Sequence, residues 1–259
     1  MSNEVLRCEN LGIVFGGLAA VDGFNVVIKE KEVAGLIGPN GAGKTTVFNL
    51  LTKVYEPTSG KIFLNGNDTQ GETTVSLSKA GIARTFQNIR LFNNLTVAEN
   101  VMVAMNQSMK YNLFESTFRL PRFWKEEKEA RKKALELLSI FDMQDLADVQ
   151  ASSLPYGAQR RLEITRALAT NPSLLLLDEP AAGMNPAETA ELMENIGKIR
   201  DQFGIAILLI EHDMSLVMGV CDQITVLNFG QVIAHGTPAE IQSNPVVIEA
   251  YLGKKKEEE

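Results

Sequence analysis

Cysteine and histidine are scarce in this chain of 259 residues, with two of each. The two cysteines, Cys8 and Cys221, form neither a metal-binding nor a redox-active spacing, which argues against a cysteine-based centre. Cysteines without such a pattern are typical of proteins from a reducing compartment. We therefore expect the protein to work in the cytoplasm.

Long apolar runs are also missing. The longest, such as Leu174 to Leu177 and Ile205 to Ile210, fall far short of the roughly 20 residues that span a bilayer. The first ten residues, MSNEVLRCEN, lack the basic and apolar regions of an export signal. The sequence predicts neither a membrane-crossing segment nor export.

An excess of basic residues is missing as well. The chain has 25 Lys and Arg against 32 Asp and Glu, which gives a net charge of −7 and a pI near 5.1. This balance disfavours broad binding to a phosphate backbone, so nucleic acid is not an expected partner. Apolar residues make up 45% of the chain, which is enough for a sizeable globular core.

The first third of the chain has the pattern of strands. Residues Val5 to Ile28 alternate apolar and polar positions around a turn signal at Asp22-Gly23, which predicts short antiparallel strands. Val33 to Ile37 is an apolar run that leads into a glycine-rich loop and a helix, as at the start of an α/β core. Lys61 to Leu64 reads as a strand that ends in a hairpin turn at Asn65-Gly66.

The middle of the chain, from Thr96 to about Leu146, has a helical pattern. Thr96 and Glu99 have the spacing of a capping box. Further along, the apolar residues fall on one stripe of a helix: Ala130, Ala134, Leu137, Leu138 and Phe141. This pattern predicts an inserted helical subdomain. Between its helices, residues 109–124 hold five aromatic residues. We expect these to pack onto the subdomain, with an interaction surface as the alternative.

The last third returns to alternating strands and helices. The predicted elements are a helix from Gln159 to Ala169, strands Ser173 to Leu177 and Ile205 to Ile210 with the helix Pro186 to Phe203 between them, a hairpin at 224–234, and short helices from Pro238 to Leu252. The final residues, KKKEEE, are a solvated charge run.

The loop after the first buried strand carries the strongest motif. GPNGAGKT, Gly38 to Thr45, fits GxxxxGK[ST] between a strand and a helix, the context that a phosphate-binding loop requires. Its backbone N–H groups face phosphates, Lys44 reaches the terminal phosphates, and Thr45 offers a hydroxyl to Mg²⁺. The predicted nucleotide contacts in this loop are Gly38, Pro39, Asn40, Gly41, Ala42, Gly43, Lys44, Thr45 and Thr46.

Acidic residues and a histidine follow the two later buried strands. LLLLDEP ends in Asp178, expected to hold Mg²⁺, and Glu179, expected to polarise an attacking water as a general base. IEHD ends the next strand with His212, which emerges at the same sheet edge as the phosphate loop. The other histidine, His235, lies in the terminal hairpin and is predicted to be structural.

The stretch SLPYGAQRR, Ser153 to Arg161, precedes a predicted helix and places two arginines in its first turn. A helix N-terminus opened by small residues is a ready anion site, because its first N–H groups lack intrahelical partners. The sequence thus predicts a second anion-binding element.

Taken together, the motifs resemble the ATP-binding subunit of an ABC transporter, over nearly the whole chain. In that family Phe15 of VFGG matches the aromatic that stacks on adenine, and Gln87 of RTFQN matches the Q-loop glutamine that touches Mg²⁺. Glu179 matches the catalytic carboxylate and His212 the switch histidine. LPYGA matches the signature that caps the γ-phosphate of ATP bound to the opposite subunit, which adds Pro155, Tyr156, Gly157 and Ala158 as cofactor contacts.

The resemblance also implies cofactors and partners. ATP and Mg²⁺ are expected, with Thr45, Gln87 and Asp178 on the metal, and Glu179, His212 and Lys44 as catalytic residues. Expected partners are a second nucleotide-binding subunit, identical or homologous, membrane permease subunits on the cytoplasmic face of the membrane, and indirectly an extracytoplasmic solute-binding protein. More narrowly, the combination of RTFQNIRLF, LTVAEN, YGAQRRLEI, DEPAAGMNP and LLIEHDM is similar to the ATP-binding subunits that energise bacterial branched-chain amino acid uptake.

Two departures from the family pattern concern the composite site. Pro155 stands where a serine hydroxyl would bind phosphate, and Asn185 replaces the usual aspartate of the D-loop, AAGMN.

Two other functions compete with transport: an ABC-type ATPase in translation or DNA repair, and a P-loop kinase. The former usually has two nucleotide domains or long coiled-coil insertions, and the latter has no reason to pair a signature with a Q-loop.

The predicted fold class is α/β, a P-loop ABC-type ATPase core with an antiparallel β flank and an inserted helical subdomain. Residues 1–252 are predicted to form a single nucleotide-binding domain. Within it, residues 1–87 and 155–252 form the core with its flank, residues 88–154 form the helical subdomain, and residues 253–259 are a charged tail.

Overall fold

The computed structural model describes residues 3–106, 115 and 117–252, which contain two β-sheets and nine α-helices. The first sheet has four strands in the order β2-β1-β4-β5, and the second has six in the order β10-β9-β3-β8-β7-β6. The strands are β1 Glu4–Phe15, β2 Leu18–Lys29, β3 Val33–Ile37, β4 Ser59–Leu64, β5 Asn67–Asp68, β6 Ile82–Arg84, β7 Leu174–Asp178, β8 Ala206–Ile210, β9 Gln223–Asn228 and β10 Gln231–Gly236.

The four-stranded sheet is antiparallel, as the alternating pattern predicts. The predicted turn at Asp22-Gly23 is wrong. The hairpin between β1 and β2 turns at Gly16-Gly17, where both glycines have positive φ, while Asp22 and Gly23 lie inside β2 at a shift of register. Gly23 has a φ of +62°, so its freedom is used for a β-bulge rather than for a chain reversal.

The core of the six-stranded sheet is parallel and buried on both faces. Strands β3, β7 and β8 are buried at every position, because each face packs against a different apolar cluster. Along β3, for example, Val33 and Ile37 face one cluster, while Ala34 and Leu36 face the other. This explains why these strands are continuously apolar rather than alternating.

The helices of the described residues cover both faces of this sheet. They are α1 Lys44–Leu51, α2 Thr74–Ala80, α3 Val97–Met105, α4 Pro121–Leu138, α5 Tyr156–Leu168, α6 Pro186–Phe203, α7 Met214–Val220, α8 Pro238–Ser243 and α9 Pro245–Leu252. Helix α3 begins with the predicted capping box of Thr96 and Glu99. Helix α5 packs against α3, α4, β6 and β7, and so connects the helical insertion to the sheet.

Helix α5 begins three residues earlier than the predicted Gln159. Its first residue is Tyr156, and Pro155 occupies the N-cap position with an extended backbone. Proline tolerates a helix start because its missing N–H would have no intrahelical partner there. Residues Tyr156 to Ala158 therefore belong to the first helical turn and not to a preceding loop.

Two of the three described aromatics of residues 109–124 lie at the surface and are not packed away as predicted, while Phe123 is half-buried and its ring centroid lies 5.4 Å from that of Trp124. Phe118 is 62% exposed and Trp124 is 56% exposed, with Arg119 over the Trp124 ring at 5.9 Å. Tyr111 and Phe114 lie outside the described residues. Across residues 3–106 and 117–252, no helix combines the length and apolar character needed to cross a bilayer.

Asn185 caps helix α6 and thus has a structural role that the sequence comparison with an aspartate did not reveal. Its side chain accepts hydrogen bonds from the backbone N–H groups of Ala187 at 2.9 Å and Glu188 at 3.0 Å. The Glu188 carboxylate in turn accepts from the Asn185 N–H at 2.9 Å, which completes a capping box.

We predict that Asn185→Ala lowers the free energy of unfolding by about 1 kcal/mol, the usual cost of removing an N-cap side chain. Asn185→Asp keeps an acceptor at the same place and serves as the control. Urea denaturation of the three proteins measures the effect. An alanine variant as stable as the original chain would contradict the capping role.

Candidate functional site

Three neighbouring parallel strands bring the predicted site residues to one edge of the sheet. Strand β3 pairs with β8, and β8 pairs with β7, all in the same direction. The phosphate loop follows β3, Glu179 follows β7, and His212 follows β8 by two residues. Open α/β sheets bind ligands at the carboxyl ends of their strands, so this edge is the expected place for a site.

An open cleft lies at this edge. The residues that line it come from the phosphate loop, from the strand-end loops and from two turns at its rim, and they include Leu18, Asn40 to Thr46, Gln87, Glu179, His212 and Phe229. In the described part of the chain Phe15 is not among the lining residues. The Phe15 ring packs edge-to-face on the Tyr55 ring with centroids 5.2 Å apart, and Phe15 is 44% exposed.

Gly43 lets the phosphate loop pass close to the neighbouring sheet. Its φ is +106°, and a Cβ there would lie 2.7 Å from the carbonyl oxygen of Ala20. Gly43 is also the N-cap of α1 and supplies no side-chain cap, so the first N–H groups of that helix are left for a ligand. The loop thus has the backbone geometry of an anion site.

Lys44 lies at the centre of the loop and is buried. Its ammonium donates to the carbonyl oxygens of Gly38 at 2.7 Å and Pro39 at 3.0 Å. Burial lowers the pKa of Lys44, while the negative charges of Glu179 and Asp178 oppose that shift. An incoming phosphate would add a further counter-charge and favour the protonated ammonium.

Glu179 is held by two residues that come from distant parts of the sequence. Its carboxylate accepts a hydrogen bond from the Gln87 side-chain nitrogen at 3.0 Å and lies 2.7 Å from Nε2 of His212. Its backbone has a φ of +49°, which is uncommon for a residue other than glycine. The Glu179 N–H donates to the carbonyl oxygen of Ile210 at 2.9 Å, which helps to hold this conformation.

Asp178 is buried and has a partner that was not predicted. Its carboxylate pairs with the guanidinium of Arg84 at 2.8 Å, and its backbone N–H donates to the Thr85 hydroxyl at 3.3 Å. Arg84 also bonds the Asn49 side chain at 2.8 Å. The pairing fixes one carboxylate oxygen and offsets the charge of the buried acid.

Glu211 is a second buried carboxylate that sequence reasoning missed. It accepts backbone N–H groups from Ala181 at 2.7 Å and His212 at 3.0 Å, and so ties the segment after Glu179 to the segment that carries the histidine. Burial raises its pKa, and these hydrogen bonds partly offset the shift. Its only sequence signal is its place between a buried strand and His212.

His235, the histidine predicted to be structural, bonds the Thr225 hydroxyl at 3.0 Å within the terminal hairpin.

The signature stretch Leu154–Ala158 presents two of its residues to solvent. Pro155 and Tyr156 are exposed, whereas Gly157 and Ala158 are buried. A Cβ on Gly157 would lie 2.6 Å from a carboxylate oxygen of Glu188, so helix α6 packs directly on this position.

The two arginines that follow the stretch both have carboxylate partners within the protein. Arg160 is fully buried, and Arg161 pairs with Glu191 at 2.7 Å.

The oxygen-bearing side chains at the sheet edge suit a magnesium ion. Thr45 and Gln87 line the cleft, and Asp178 ends the adjoining strand. Gln87 uses its amide nitrogen on Glu179, which leaves its oxygen for a cation. Hydroxyl, amide and carboxylate oxygens are the ligands that Mg²⁺ prefers, so the residues fit the ion.

Comparison with known proteins places the chain in a family. Residues 21–182 match the family described as ABC transporter, and residues 231–257 match a second, Branched-chain amino acid ATP-binding cassette transporter. A relative from Pseudomonas aeruginosa, High-affinity branched-chain amino acid transport ATP-binding protein BraF, is 47% identical over 98% of this chain and 100% of its own length. The protein LivG of Escherichia coli K12, with the same description, is 48% identical over the same shares.

Solved structures agree with the fold. A nucleotide-free ATP-binding cassette from an ABC transporter superposes with a TM-score of 0.83 at 31% identity, covering 97% of this chain and 100% of that one. A dimeric cassette in a post-hydrolysis state, bound to ADP and Pi, has a TM-score of 0.76 at 25% identity and covers 90% of this chain and 98% of that one. These findings confirm the predicted fold class and the predicted family: the chain belongs to the ABC transporter family, as a nucleotide-binding ATPase subunit.

Proposed function

We propose that this chain hydrolyses ATP to power an importer of branched-chain amino acids, through ATP-driven closure of a nucleotide-binding dimer. The observation that carries the proposal is the placement of Glu179 between Gln87 and His212 at the mouth of the phosphate loop. The relatives at 47% and 48% identity are transport ATP-binding proteins for this class of solute. The solute itself does not touch a nucleotide-binding subunit, so its identity rests on those relatives.

Glu179, His212 and Lys44 form the proposed catalytic set. Glu179 accepts the proton of the attacking water, because its carboxylate lies beside the phosphate loop and one residue past the proposed metal ligand Asp178. His212 orients this carboxylate through the 2.7 Å contact. Lys44 offsets the negative charge of the terminal phosphates during transfer.

The metal and the base of the nucleotide use separate residues. Thr45, Gln87 and Asp178 are the proposed contacts of Mg²⁺, which when bound neutralises charge on the phosphate oxygens. Phe15 is proposed to stack on adenine. Phe15 is 44% exposed and is the last residue of β1, three residues before Leu18, which lines the cleft. Remaining contacts come from the loop residues Gly38 to Thr46 and across the dimer from Pro155, Tyr156, Gly157 and Ala158.

The second nucleotide-binding subunit, identical or homologous, completes each site. Pro155 has neither a hydroxyl nor an N–H, so the contact to the partner's nucleotide comes from the N-terminus of α5, where backbone N–H groups and the helix dipole favour an anion. Exposure of Pro155 and Tyr156 supports this orientation. Residues 1–87 with 155–252 are proposed to form the core, and residues 88–154 the helical subdomain.

Permease subunits are proposed to hold the chain at the cytoplasmic face of the membrane, and through them it serves an extracytoplasmic solute-binding protein. The supporting feature is a largely apolar groove between α2, β6, α3 and α5, lined among others by Val54, Leu77, Phe86 and Ala104. The segment from Gln87 to Phe92 leads from the cleft past this groove. A partner seated there would sense changes at Gln87.

Glu179→Gln is predicted to bind ATP with nearly unchanged affinity but to lose hydrolysis by about a hundredfold or more, because the amide cannot accept the proton. ATP should then trap a dimer that elutes ahead of the monomer in gel filtration. Glu191→Gln, which changes a surface carboxylate outside the cleft, is the control and should hydrolyse normally. Full turnover by Glu179→Gln would refute the base assignment.

Arg90→Glu is predicted to reduce ATP-driven amino acid uptake by the assembled transporter while the ATPase rate of the isolated chain is retained. The Arg90 guanidinium lies 4.4 Å from the Phe86 ring centroid, so the substitution changes charge at the edge of the groove. Lys132→Glu reverses a charge on the exposed side of α4 and is the matched control. Normal uptake by Arg90→Glu would place the docking surface elsewhere.

A further inference from the structure

Arg160 is buried completely and bonds two other segments of the chain as well as a residue of its own helix. Its guanidinium donates to the carbonyl oxygens of Phe86 at 2.5 Å, Gln87 at 2.8 Å and Glu179 at 3.3 Å. It also pairs with Glu163, one turn further along the same helix, at 2.8 Å. A residue of helix α5 therefore holds the backbone of both Gln87 and Glu179.

Glu163 bonds the same segment through backbone N–H groups, whereas Arg160 bonds its carbonyl oxygens. Its second carboxylate oxygen accepts from the backbone N–H groups of Phe86 at 3.4 Å and Arg90 at 3.3 Å. Within residues 86–90, the guanidinium of Arg160 thus donates to carbonyl oxygens, and the carboxylate of Glu163 accepts from N–H groups. We call Arg160 and Glu163 the buried pair.

The buried pair complements the contact between the side chains of Gln87 and Glu179. The two side chains are hydrogen-bonded at 3.0 Å, and the Arg160 guanidinium bonds the backbone carbonyl oxygens of the same two residues. Arg160 lies one turn after Tyr156 in α5, so the same helix carries the signature residues and the guanidinium that bonds Gln87 and Glu179.

Stability alone does not explain a buried ion pair. Desolvating two charges is expensive, and apolar residues of similar volume in their place are often neutral or stabilising. What apolar residues cannot supply is a planar fork that bonds several carbonyl oxygens in fixed directions. The chemistry of Arg160 is that of a positioning residue.

We propose that the buried pair couples the signature helix to the catalytic carboxylate, so that α5 and Glu179 reach their working positions together. This inference rests on the proposed function, because it needs Glu179 to be the base. Neither residue touches nucleotide in this assignment. Both act through Gln87 and Glu179.

The test replaces both members of the pair, as Arg160→Met with Glu163→Leu, so that no charge is left buried alone. Binding of ATP to the isolated chain should change by less than about twofold, while kcat falls by about tenfold or more, because small misplacements of a catalytic group are costly. Amide hydrogen exchange at Phe86 and Arg90 should become faster, since both lose their acceptor. Arg160→Lys keeps the charge but not the fork and should recover only part of kcat.

The matched control is Arg161→Met with Glu191→Leu, which removes the ion pair that the next residue of α5 makes with α6. That control should keep kcat and the exchange of residues 86–90. Wild-type kcat in the Arg160 and Glu163 variant, unchanged exchange at Phe86 and Arg90, or an equal loss of kcat in the control would each overturn the proposal. The exchange measurement needs no hydrolysis, so it separates failure of the coupling from failure of the proposed function, which is decided by Glu179→Gln.

Discussion

The carboxylate of Glu179 is the group on which the rest of the site depends. It is held by Gln87, three residues after β6, and by His212, two residues after β8, while Glu179 itself directly follows β7. Three strands must therefore end at the same edge and in the same direction for one carboxylate to meet two partners. The parallel pairing of β6, β7 and β8 meets this requirement, and the apolar clusters on both faces keep those strands in place.

The same edge also explains how the phosphate loop and the carboxylates influence each other. Lys44 is drawn toward the loop's own carbonyl oxygens, while Asp178 is neutralised by Arg84. Each of these charged groups thus has a partner within the protein. In the proposed function, a nucleotide and its metal would bind among these same groups, so their contacts would change when the ligand binds.

The sequence was sufficient to predict the parts of the site that local chemistry determines. The phosphate loop, the acidic pair after β7 and His212 each follow a recognisable strand, and strand order along the chain is enough to bring them together. The contacts made by Arg84, Arg160 and Glu211 were not predicted, because their partners lie far away in sequence and a buried charge has no periodic pattern. Asp22-Gly23 was misread because a bulge and a turn use the same residues, and only pairing with β1 distinguishes them.

Two chains are proposed to share each nucleotide, and disulfide cross-linking between them is a decisive measurement. Asn40 in the phosphate loop and Pro155 before α5 are both exposed, whereas Cys8 and Cys221 are buried, with pKa values raised by burial to about 12, so the native thiols will not interfere. One preparation carries Asn40→Cys with Glu179→Gln, and the other carries Pro155→Cys with Glu179→Gln. Mixing them with ATP and Mg²⁺ under mild oxidation should give a disulfide-linked dimer that is absent without nucleotide. A mixture that stays monomeric with ATP, or cross-links equally without it, would contradict the composite site.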